Sequence, residues 1–167
     1  LLSCMQDRLL HFTPQGIANT VWGLAKMGGA WGELGGGFKE ALLGCIQGGL
    51  REFNSQNIVN AVWALAAMGA PWGELGADLK QGLLSRIQER LRGFNEQELA
   101  NTVWALAKMG VSWGELSRDL KEALLRCIQG RLRGFNEQEL ANTVWALAKI
   151  GVSWGELGAD LKQDLLR

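Results

Sequence analysis

The chain has 167 residues, of which 47% are hydrophobic, and its 17 Lys and Arg balance 17 Asp and Glu for a net charge of zero. This composition excludes a disordered tail or a polybasic arm, and charged residues recur too often for any stretch to cross a bilayer. One His and three Cys with no C-x-x-C pair leave no zinc-type ligand set, and unpaired thiols point to a reducing compartment.

From the start of the chain, residues 1–11 align with 42–52 when shifted by 41, so that Leu1, Leu2, Cys4 and Gln6 fall on Leu42, Leu43, Cys45 and Gln47. At Phe12 the same 41-residue period becomes explicit. Phe12, Phe53, Phe94 and Phe135 each open a block of the form F-x-x-Q-x-[IL]-x-N-x-V-W-x-L-A-x-[MI]-G, followed by W-G-E-L at Trp31, Trp72, Trp113 and Trp154. Self-similarity at this period marks a solenoid, in which each unit buries its apolar face only against its neighbours. We expect one repeat array over 1–167, with a partial repeat at 1–11, full repeats at 12–52, 53–93 and 94–134, and a truncated one at 135–167. The first residues show neither an initiator Met nor a basic targeting region, and neither end carries a polar-faced capping repeat. A piece of a longer array is therefore expected.

The unit beginning at Phe94 reads as two helices. Asn95 is an N-cap, Glu98 completes its capping box, and Phe94 with Leu99 forms a hydrophobic staple. The first helix carries Lys108 in its last turn and stops at Gly110, a left-handed cap. First helices are thus predicted over 13–27, 54–68, 95–109 and 136–150. Ser112 and Glu115 repeat the capping-box pattern, predicting a longer second helix from near Trp113 to Arg133-Gly134, and likewise from near Trp31, Trp72 and Trp154. Leu116, Leu120, Leu124, Ile128 and Leu132 mark its buried stripe. Thr13-Pro14 keeps the capping logic in the first unit, whereas Pro71 removes one side-chain acceptor in the second. The fold class is all-α, a solenoid of αα-hairpins.

The first helix buries Leu99, Val103, Leu106, Ala107 and a flank of Trp104, and its far side carries Glu98, Asn101 and Ala105, with Thr102 and Lys108 toward the edge. Asn recurs there in every unit, as Asn19, Asn60, Asn101 and Asn142, although Asn is a mediocre helix residue. Beside it one position changes chemistry: Gly16, Asn57, Glu98, Glu139.

The stretch FNEQELANTVWALAKMG, present twice almost verbatim, resembles the first helix of the octatricopeptide-repeat family of organellar proteins and of related repeats in intracellular bacteria. The resemblance implies tandem helical hairpins that bind RNA, about one nucleotide per hairpin, and a chloroplast or mitochondrial setting. The 41-residue unit exceeds the family's usual length, and Ser-Trp-Gly-Glu-Leu replaces the Pro-rich segment common before the family's second helix.

Two readings follow for each motif. The Asn row either reads base edges through its amides or forms an inter-repeat ladder, and the changing position either sets specificity or drifts at an exposed site. The two Trp rows could stack bases, but their helical phase makes both mainly packing residues. Lys26, Lys108 and Lys149, with Arg92 and Arg133, could meet phosphates, as could Lys39, Lys80, Lys121 and Lys162; the acids at helix N-termini explain much of the remaining charge layout. The three Cys share one repeat position, held by Arg86 in the unit between, and read as small packing residues. His11 stands alone, and GELGGGFKEA lacks the G-K-[ST] ending of a phosphate loop. The expected protein is not an enzyme and needs no metal or cofactor. Its expected partner is single-stranded RNA read by Gly16, Asn19, Asn57, Asn60, Glu98, Asn101, Glu139 and Asn142; the alternative is a protein partner along the concave face of a scaffold.

Overall fold

The structure, a computed structural model, describes residues 2–167, with side chains from Cys4 onward. The expected match of Leu1 to Leu42 lies outside the described residues, as does that of the Leu2 side chain. The described residues form α1 (Leu2–Gln6), α2 (Pro14–Lys26), α3 (Gly36–Gly49), α4 (Ser55–Met68), α5 (Ala77–Arg90), α6 (Glu96–Met109), α7 (Arg118–Arg131), α8 (Glu137–Ile150) and α9 (Ala159–Leu165), joined by 3₁₀ turns and without a strand. The all-α solenoid expected from the period is the fold.

The first helices α2, α4, α6 and α8 form one row and make the densest contacts in the molecule, α2 on α4, α4 on α6 and α6 on α8. Second helices α3, α5, α7 and α9 form a parallel row that meets more sparsely. A continuous apolar core runs between the rows, from Leu9 to Leu161. Within it, Val62, Val103, Leu65, Leu83, Ile87 and Phe94 are at most 1% exposed.

The first-helix ends form as the capping logic dictates. Asn54, Asn95 and Asn136 accept from the backbone N–H three residues on, at 2.8 Å in each case, and Asn57, Glu98 and Glu139 accept in return. Gly69, Gly110 and Gly151 close α4, α6 and α8 with φ of 83°, 92° and 97°, a conformation that costs side-chain-bearing residues dearly. In the first unit the helix stops one residue earlier, and Gly28 takes the positive φ of 82°.

The second helices begin later than expected. Ser112 and Glu115 do pair, and so do Ser153 and Glu156, but what they cap is a single 3₁₀ turn, Trp113–Glu115 or Trp154–Glu156. Leu116 then turns extended, at φ −79° and ψ 140°, and Ser117 becomes the true cap of α7 by accepting from Leu120 N–H at 3.2 Å. The capping-box pattern looks the same whether three residues or fourteen follow. Nor is the second helix longer, since α6 and α7 each hold 14 residues.

The position shared by the cysteines splits by environment. Cys45 and Cys127 are buried, and burial pushes the Cys45 thiol pKa up, while Cys4 at the open end is exposed. Arg86 uses the same position to grip the turn of the preceding unit, donating to the carbonyls of Leu50 (3.1 Å), Arg51 (3.2 Å) and Phe53 (2.9 Å).

Candidate functional site

The row of first helices carries a polar cleft of about 460 Å³ that crosses α2, α4 and the start of α6. Trp22 and Lys26 line it from α2, Gln56, Asn60 and Trp63 from α4, and Gln97, Glu98 and Asn101 from α6. The surface position of this face is fixed by the burial of the opposite one, where Ile58, Val62 and Leu65 of α4 and Leu99, Val103 and Leu106 of α6 enter the core.

Asn60 and Asn101 share this cleft, both half-buried. Asn19 is exposed, and Asn142 is half-buried and accepts from Gln138 Nε2 at 2.9 Å. Among the described residues no hydrogen bond ties Asn19, Asn60 or Asn101 to a neighbouring repeat, so the inter-repeat ladder is not formed.

The changing position serves the helix caps in three of the four units. Asn57 is 6% exposed and points into the cap of its own helix. Glu98 and Glu139 are half-buried with one carboxylate oxygen taken by the cap N–H at 2.9 Å and 3.0 Å, and Gly16 has no side chain to offer. Of the four, Glu98 alone lines the cleft. Ala105, expected on the far side, and Thr102, expected toward its edge, are both buried, with the Thr102 hydroxyl donating to Glu98 C=O at 2.7 Å.

The two Trp rows part company. The W-G-E-L row packs as expected at Trp31, Trp72 and Trp113, which are 3%, 4% and 6% exposed, but not at Trp154, which is 55% exposed. The first-helix row packs in part. Trp63 and Trp104 are half-buried against the core, while Trp22 is 42% exposed and Trp145 46%. Lys26 Nζ lies 5.4 Å from the ring of Trp22 and 5.0 Å from that of Trp63, a cation bridging two rings.

A second, unexpected pattern links the buried Trp row to the next unit. Trp31 Nε1–H donates to Glu74 at 2.7 Å and Trp113 Nε1–H to Glu156 at 2.8 Å, each 43 residues on. Trp72 lies beside Glu115 in the same way and helps hold that carboxyl below the usual range, chiefly the work of the Ser112 N–H. Glu156 is likewise held low, first by the Ser153 N–H. Lys39, Lys80, Lys121 and Lys162, candidate phosphate contacts by sequence, lie 5.2 to 5.9 Å over the rings of this row. Every unit boundary thus carries a Trp, a Glu and a Lys, which the W-G-E-L motif foreshadows only once adjacent units are superposed.

The remaining cations are dispersed. Lys108 and Lys149 are exposed near the ends of their first helices. Arg92 is exposed, and its carbonyl accepts from Arg131 at 2.7 Å. Arg133 lines a separate hollow with Arg126 and Asp164, so the Arg stripe and the Asn cleft are different surfaces. Among the described residues no group of three His, Cys, Asp or Glu could hold a metal ion, and no helix is long and apolar enough to cross a membrane.

A row of stacked hairpins, repeated along the chain, defines a helical-repeat protein. The chain belongs to the family described as protein of unknown function (DUF1601), which matches residues 9–21, 39–62, 68–103 and 109–144, more than half of its length. No curated protein matches the chain.

Proposed function

We propose that the first-helix cleft binds single-stranded RNA, with no catalysis, about one nucleotide per hairpin. The observation that carries this reading is the pair Trp22 and Trp63, set in one cleft beside the amides of Gln56, Asn60, Gln97 and Asn101, with Trp104 and Trp145 repeating the position in the next two units. Aromatic faces at a regular spacing stack bases of any identity, at about 1–3 kcal/mol per base, and side-chain amides add donors and acceptors for their edges. The resemblance to octatricopeptide-repeat proteins agrees with it. In this reading the Trp row supplies affinity and the Asn row discrimination, while the changing position serves the helix cap.

Zero net charge favours the rival reading, a scaffold that takes a protein along the same face. One titration separates the two. Fluorescence of the chain is followed against a randomised single-stranded RNA pool at two salt concentrations. RNA binding predicts quenching that weakens as salt rises, because Lys26, Lys108 and Lys149 release counterions when they meet phosphates. No quenching and no sequence enrichment in the bound pool would hand the cleft to a protein partner.

A further inference from the structure

The turns Leu9–His11, Leu50–Glu52 and Leu91–Gly93, each leading into a first helix, share one backbone course and close on Phe12, Phe53 and Phe94 with ψ of 141°, 128° and 138°. An arginine of the following second helix holds two of them. Arg86 reaches the carbonyls of Leu50, Arg51 and Phe53 and meets the Glu89 carboxylate. At the next turn the same repeat position is Cys127, and Arg131, one helical turn further on, donates to Arg92 C=O instead. The first of the three turns faces α3, which has Cys45 and Gly49 at those two positions and Gly48 at that of Glu89. Among the described residues no side chain donates to the carbonyls of Leu9, Leu10 or Phe12.

Where Arg86 sits at the second turn, the first has a cavity of about 260 Å³, lined by Leu9, Leu10 and Phe12 from the turn side and by Cys45 and Gly48 from α3. A Cβ added at Gly44 or Gly48 would meet nothing within 4 Å, and both residues are exposed, so α3 leaves this side open to solvent. We propose that the cavity binds a guanidinium group. The repeat itself supplies the argument, because a guanidinium fills the equivalent place against the same three carbonyls at the α3–α5 boundary. A planar fork of N–H donors satisfies several converging acceptors at once, which a compact ammonium does less well. The countercharge is present too: Glu52 lines the cavity and takes the part that Glu89 plays for Arg86. The group could arrive on a free guanidino compound or on an arginine of another polypeptide. The cavity shares no lining residue with the first-helix cleft, so it stands whatever that cleft binds.

Amide NMR of the isotope-labelled chain, titrated with methylguanidinium chloride, tests this. Shifts confined to the Leu9–Phe12 turn and the facing end of α3 should saturate with a Kd of about 1 mM, in keeping with so small a ligand. Urea, its neutral analogue, and sodium chloride should leave the same amides in place. Cys45→Arg rebuilds the Arg86 grip and should abolish the response, whereas Cys45→Ala keeps the cavity and should preserve it. Glu52 is exposed, so Glu52→Gln should fold unchanged and weaken binding about 3-fold, the scale of one exposed ion pair. A blocked Gly-Arg-Gly peptide separates the two sources. Binding as tight as that of the small ion makes the ligand an arginine of another polypeptide, and exclusion of the peptide makes it a free guanidino compound. The proposal is overturned if no shift saturates, if urea reproduces the shifts, or if a folded Cys45→Arg chain still responds. Should Cys45→Arg not fold, an affinity that Glu52→Gln leaves unchanged counts against it in the same way.

Discussion

The eight tryptophans form two rows with the same 41-residue spacing, yet one row is a surface and the other a seam. Trp22, Trp63, Trp104 and Trp145 sit mid-helix, where Trp63 and Trp104 rest on the core and Trp22 and Trp63 line the cleft. Trp31, Trp72 and Trp113 open a 3₁₀ turn, where the ring is enclosed by a Lys of its own unit and a Glu of the next. The difference lies in partners. A Trp with a saturated N–H and both faces covered holds units together, and one with a free face is available to a ligand.

The sharpest way to break this comparison is truncation in each row. Trp72→Ala should cost about 3–5 kcal/mol in urea denaturation, as large-to-small changes at buried aromatics do. Trp104→Ala should cost about 1 kcal/mol, near the average for point substitutions, and instead weaken RNA binding. Equal stability losses would erase the distinction. Leu106→Ala, between the rows and 2% exposed, should cost about 2–5 kcal/mol and speed hydrogen exchange in both adjoining hairpins. Exchange confined to one hairpin would contradict coupling through the row.

A smaller effect tests the seam through pH. Glu115 and Glu156 are held below the usual 4.5, so their contribution is fully present above that value and is lost as pH falls through it and past the lower folded values. The melting temperature should therefore drop on going from neutral to strongly acidic solution. Ser112→Ala should blunt that drop only in part, because the Ser112 backbone N–H, the larger cause at Glu115, remains. A pH-independent melting temperature would deny these carboxylates a role in the seam. Smallest of all, Lys108→Ala should change stability by under about 0.5 kcal/mol, weaken RNA of every sequence alike and reduce the salt slope by about 1.

The fold was legible because the period, the Asn–Glu capping boxes and the left-handed glycines each act within a few residues of one another. Asn95, Glu98 and Gly110 do in the structure what their spacing predicts. The late start of α7 was not legible, since Ser112 and Glu115 satisfy the same local pattern on a three-residue turn. The Trp113–Glu156 link escaped because its partners are 43 residues apart and belong to different units. On the helical wheel Trp104 lay at the margin of the apolar stripe, and only the packing of the neighbouring helix decides which way such a marginal ring faces. The capping role of the changing position was only partly legible for a related reason. An exposed-looking Glu98 was already spoken for by Asn95, whatever its variation between units.

The arginine grips have a mechanical consequence. Arg86 binds three carbonyls of the turn before it, at Leu50, Arg51 and Phe53, while at the next boundary Arg131 binds one, at Arg92. Around Leu132–Gly134, where the following turn meets α9, no such grip is present among the described residues. A chain clasped this way is a spring of graded stiffness. Pulled from its two ends, it should peel from α9 inward, and the α3–α5 boundary should be the last to give.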